Sequence, residues 1–133
     1  MKKITALFIF TALLLSLCSC NLKPDKTSDA MYQIGLNALD LADQYIAGKI
    51  TGEEAYARIE EFSKQAKAQE DYDRELLGLG EEDGLATTEY SNDYFISFDI
   101  SMLSFDIMQA YHGSDSMAEV KESRDELAEQ LGK

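Results

Sequence analysis

From Ile4 to Leu17 the chain is uncharged and mainly apolar, and after about residue 28 the apolar positions recur at helical spacing. Met31, Ile34, Ala38, Leu41, Ala42 and Tyr45 fall on one face, with Gln33, Asn37, Asp40 and Gln44 opposite. That spacing predicts a helix over about 29–47, capped by Ser28 and stopped by Gly48. Thr51-Gly52-Glu53-Glu54 has the form of a capping box and opens a second helix over about 52–77. Its stripe of Ala55, Ile59, Phe62 and Ala66 is narrow, and fraying is expected through 69–73. The short link between the two predicts an antiparallel pair. Three glycines and three acids between Gly78 and Thr87 predict a loop.

The segment from about 89 to 111 is the most apolar stretch after the leader. Alternation of Tyr94, Ile96, Phe98, Ile100 and Met102 with Phe95, Ser97, Asp99 and Ser101 permits a strand, but no second stretch offers it a partner. Wound as a helix, it carries two apolar stripes: Tyr94, Phe95, Phe98, Met102 and Phe105, and Ile96, Ile100, Leu103 and Ile107. Two such stripes predict neighbours on both sides, at the centre of a bundle. Ser116-Met117-Ala118-Glu119 begins a last helix over about 116–131, with Met117, Val120, Leu127 and Leu131 inward and Arg124 in the same stripe. The expected fold is therefore all-α, a small three- to four-helix bundle occupying 29–133 as one domain.

Charge narrows the partners. Of 133 residues, 25 are Asp or Glu and 12 are Lys or Arg, a formal charge of −13. Nucleic acid is excluded as a partner, because its binding relies on Lys and Arg neutralising phosphates. At 45 % hydrophobic the chain is too apolar to be a disordered tail. Two cysteines allow neither a disulfide framework nor a zinc cluster, and no cofactor is implied.

The N-terminus has the parts of a targeting segment. Lys2 and Lys3 precede the run from Ile4 to Leu17, whose 14 residues fall short of the ~20 that cross a hydrocarbon core. Leu17-Cys18-Ser19-Cys20 follows. It resembles the lipobox of bacterial lipoprotein precursors, with an aliphatic residue at −3, a small residue at −1 and then Cys. Cys20 fits better than Cys18, which has Leu17 at −1; Cys18 itself at −2 departs from the usual small residue. The resemblance implies a signal peptide over 1–19, cleavage before Cys20, and diacylglycerol on the Cys20 sulfur as the link to a bilayer. Residues 20–28 are then the lipidated cysteine and tether, on the extracytoplasmic face of the cell membrane. Cleavage would leave 114 residues, 10 of them basic, and a charge of −15 with no free thiol. The stretch from Leu41 to Ala55 also resembles helix–turn–helix junctions in small proteins of Gram-positive anaerobes, which implies helices and nothing about activity.

No phosphate loop, H-E-x-x-H or nucleophile elbow occurs. His112, the one histidine, precedes Gly113 at an expected helix C-terminus, where a cationic imidazole is favoured by the helix dipole. The acids are the remaining chemistry. Asp71, Asp73 and Glu75 could contact a cation, though Arg74 interrupts them and the EF-hand Gly and Glu are missing; a solvated acidic face is the plainer reading. Asp99 and Asp106 could pair with Arg124 or Lys121, or could together bind a cationic ligand. Tyr94, with Tyr90 and Tyr111, could line a groove instead of packing in the core. Two functions stay open: an anchored protein-interaction module or envelope component without catalysis, and a small-ligand or cation-binding lipoprotein beside a transporter.

Overall fold

The computed structural model describes residues 22–80, 84–85, 88–113 and 117–133. The expected signal peptide over 1–19, Cys20, Asn21, the acids at 81–83 and the expected cap at Ser116 lie outside the described residues. Four helices follow in order: α1 (Asp29–Ile46), α2 (Gly52–Leu76), α3 (Ser91–Tyr111) and α4 (Met117–Gln130). The fold is all-α, a small bundle.

Local chemistry accounts for most helix ends. The Ser28 hydroxyl accepts from the Met31 N–H at 3.1 Å and caps α1, which ends before Gly48 at φ +67°. Thr51 and Glu54 form both halves of the capping box on α2. The expected fraying over 69–73 does not occur. Lys67 reaches Glu70 at 3.2 Å and Asp71 at 3.4 Å, and Arg74 reaches Glu70 at 3.5 Å, so bases one turn away on either side hold the acidic stretch helical. At α3 the first residue before the helix, Tyr90, makes no side-chain cap. Instead Asp93 in the first turn accepts the Ser28 N–H at 2.8 Å, tying the starts of α1 and α3 together.

α1 and α3 are parallel and in contact across the middle, and each also packs on both α2 and α4, which run the other way. The closest approach is at Gly35 of α1, where a methyl group would sit 2.7 Å from Leu131 Cδ2 and 3.2 Å from Ile96 Cγ2. Ile96, Ile100, Leu103 and Ile107 are completely buried among Met31, Leu41, Ile59, Val120 and Leu127.

The aromatic stripe of α3 is not covered, which corrects the expectation of neighbours on both sides. Tyr94, Phe95, Phe98, Met102 and Phe105 are all exposed, Phe98 by 54 % and Phe105 by 49 %. The reason is geometric: three helices suffice to cover the aliphatic stripe, and no fifth helix is described to cover the other. The N-terminal segment also departs from a simple tether. Thr27 is buried, its hydroxyl accepts from Asn92 Nδ2 at 2.8 Å, and the Lys26 carbonyl accepts the Asn92 N–H at 3.1 Å. By Thr27 the chain is already docked on the bundle. None of the described helices is long and apolar enough to cross a membrane.

The two stripes should differ sharply under truncation. Ile100→Ala is expected to cost about 2–5 kcal/mol in urea unfolding, as for a fully buried aliphatic, whereas Phe98→Ala is expected to cost roughly 1 kcal/mol or less. Equal losses would mean that the aromatic stripe is covered.

Candidate functional site

Along α4, Val120, Ser123 and Leu127 turn inward, so Glu119, Glu122, Glu126 and Glu129 come up together beside α3. They meet the exposed side of α3 and close two shallow, adjoining clefts. One, of about 220 Å³, is lined by Met102, Asp106, Glu119, Glu122, Ser123 and Glu126. The other, of about 400 Å³, is lined by Phe95, Phe98, Asp99, Glu126, Glu129 and Gln130. Glu126 lines both, so the two clefts adjoin and form an acidic groove beside Phe95, Phe98 and Met102 of the aromatic stripe. Neither Lys121 nor Arg124 lines it.

Asp99 and Asp106 thus lie in one groove, but neither takes the basic partner considered for it. Arg124 is turned toward α1, where its Nε and a terminal nitrogen donate to the two oxygens of Asp43 at 2.7 and 3.1 Å. Asp106 is buried and accepts from the Ser123 hydroxyl in a short hydrogen bond. Asp99 is half-buried; loss of hydration, with the negative charge of Glu126 beside it, pushes its carboxyl up to about 6. Tyr94 heads the stripe, edge-on to Phe95 at 5.4 Å between ring centres. Tyr111 lies at the far end of α3, stacked on Tyr56 at 6.2 Å, and Tyr90 precedes the helix, so the three tyrosines do not line one groove. His112 ends α3, with its ring against Tyr111 and Tyr56.

The other acids do not converge. Asp71 and Glu75 are exposed, Asp71 within reach of Lys67, while Asp73 points into the bundle. Among the described residues no group of three or more His, Cys, Asp or Glu is placed to hold a metal ion. What Asp73 meets is Asp93. Both are buried, Gln69 donates to Asp73 at 2.8 Å, the Ser28 N–H donates to Asp93, and each carboxyl keeps a second oxygen with no protein donor. Two carboxyls so placed can share a hydrogen bond only if one is protonated. Burial first, and then Asp93, raise Asp73 to about 7.

The pairing of Asp73 with Asp93, and of Asp106 with Ser123, escaped the sequence because each joins different helices. The glutamates of α4 were legible in principle, since steps of three and four place them on one face. Comparison of the chain with protein-family models, with curated proteins and with solved structures gave no match.

The buried carboxyl pair sets a pH dependence. The folded state holds a proton on Asp73 that the unfolded chain releases near pH 4, so this contribution is full in acid and is lost as pH rises through about 7. Thermal unfolding of the wild type is expected at progressively lower temperature from pH 4.5 to 7.5. Asp73→Asn, which can donate to Asp93 at every pH, should flatten that slope; a slope as steep as the wild type's would show that Asp73 is not the group responsible.

Proposed function

We propose that this chain is a lipoprotein of the cell envelope, anchored by diacylglycerol on Cys20, whose helical domain acts by binding another protein and not by catalysis. The observation that carries the binding reading is the uncovered aromatic stripe of α3. Tyr94, Phe95, Phe98, Met102 and Phe105 form a contiguous run on one helix face, and soluble monomers seldom leave such patches exposed without a use. The anchor rests on the lipobox residues Leu17 to Cys20 and on the Lys-Lys start. Two acyl chains suffice for stable attachment, since each buried methylene contributes about 0.8 kcal/mol. The seven residues from Asn21 to Thr27 reach at most ~25 Å when extended, and Thr27 docks where α3 begins. On this reading α3 points away from the bilayer and offers its aromatic side to a neighbour in the envelope. The acidic groove favours a second reading, a binding site for small cations such as polyamines beside a transporter.

Two measurements in intact cells test the proposal. Labelled palmitate should enter the wild type and not Cys20→Ala. A photoreactive phenylalanine analogue at position 98 should crosslink a discrete protein, while the same probe at exposed Asp40 should not. Label persisting in Cys20→Ala would refute the anchor, and equal crosslinking at both positions, or none, would refute the binding face.

A further inference from the structure

The occupant of the α3 face can be narrowed by charge. The groove beside the aromatic stripe carries Asp99, Asp106, Glu122, Glu126 and Glu129, and neither cleft has a Lys or Arg in its lining. Arg124, the nearest inward base of α4, is committed to Asp43 on the opposite side of that helix. An apolar stripe bordered along its length by unneutralised carboxylates selects a partner that is apolar on one side and cationic on the other.

Three other occupants fit less well. A second copy would set the same acids against one another, on chains that each carry a large negative charge. An anionic bilayer surface would be repelled for the same reason. The chain's own run from Ile4 to Leu17 has Lys2 and Lys3 at one end only and no Lys or Arg along its 14 residues, which would leave most of the acids unanswered.

We infer that the face formed by Phe95, Phe98, Met102 and Phe105 docks a cationic amphipathic helix of a partner protein, whose Lys or Arg residues lie over Asp99, Glu122, Glu126 and Glu129. The inference rests on the protein-binding reading and specifies the partner's chemistry. The dimensions agree. Phe95 to Phe105 spans ~15 Å along α3, about three helical turns, the length over which residues at i, i+3 or i+4 and i+7 of a second helix can pack. The groove beside α4 provides the space for such a helix's charged side chains. A cation placed next to Asp99 would offset the burial and the Glu126 charge that raise its carboxyl.

The test uses the full chain purified from membranes in a mild neutral detergent, and three fluorescent 18-residue peptides. One is helical with Leu on one side and Lys on the other; the second has Glu in place of Lys; the third has Ser in place of Leu. The Leu/Lys peptide should bind with a Kd below about 100 µM. Phe98→Ser together with Phe105→Ser, and separately Glu122→Gln with Glu126→Gln and Glu129→Gln, should each weaken it about tenfold or more, with circular dichroism unchanged. The Leu/Glu and Ser/Lys peptides should bind at least about tenfold more weakly than the Leu/Lys peptide.

Equal binding of the Ser/Lys peptide or of spermine would overturn the inference in favour of a simple polycation site. So would a dimer abolished by Phe98→Ser, or binding to anionic vesicles that depends on Phe98. Absence of Leu/Lys binding while position 98 still crosslinks a protein in cells would overturn the cationic chemistry alone. Absence of both would overturn the protein-binding reading with it.

Discussion

The bundle depends on the aliphatic side of α3. Ile96, Ile100, Leu103 and Ile107 are completely buried, and α1, α2 and α4 all pack on the helix that carries them. With no cysteine among the described residues, this packing has to supply the cohesion that a disulfide supplies in many small domains. Gly35 lets α1 come close to both Ile96 and Leu131, and the Asp93–Ser28 bond fixes the start of α3 against the start of α1. Polar contacts at the ends then set the register of helices whose middles are held by non-directional burial.

The same helix separates the core from the proposed binding face. Its aliphatic stripe is satisfied by three neighbours, which leaves the aromatic stripe outside and free to meet another molecule. Acidic residues are sorted in a parallel way. Near the end of α2, Glu70 and Asp71 are held by Lys67, with Arg74 also on Glu70, and Asp73 is buried against Asp93, whereas Glu119, Glu122, Glu126 and Glu129 of α4 border the groove beside the aromatic stripe. The acids therefore fall into two groups: the Asp73–Asp93 pair is internal, with burial raising Asp73 to about 7, and the acids of α4 define the chemistry of the proposed interface.

Much of the architecture was legible because it is local. Ser28, the Thr51–Glu54 box, Gly48 and the helical spacing of the apolar residues each act within one or two turns, and they delimit α1 and the start of α2 almost to the residue. The fate of the two stripes on α3 was not legible, because an exposed and a buried stripe have the same periodicity. Only the number of neighbouring helices decides between them. Arg124 illustrates the same limit: its partner, Asp43, is 81 residues away, while Asp99 and Asp106 on the adjacent helix were equally plausible by charge. The apparent weakness of α2 at 69–73 was misleading for a different reason. The narrow apolar stripe predicted fraying there, but Lys67, Arg74 and the contact of Asp73 with α3 outweigh it.

The central claim is that α3 is buried on one side only. Hydroxyl-radical footprinting of the purified full chain, read by mass spectrometry, tests it directly. Phe95, Phe98, Met102 and Phe105 should be oxidised at rates close to those of the same residue types in short peptides, while Met31 and Leu103 should be strongly protected. Protection of Phe98 and Phe105 to the level of Met31 would contradict it, since the aromatic stripe would then be part of a core and not a surface open to a partner.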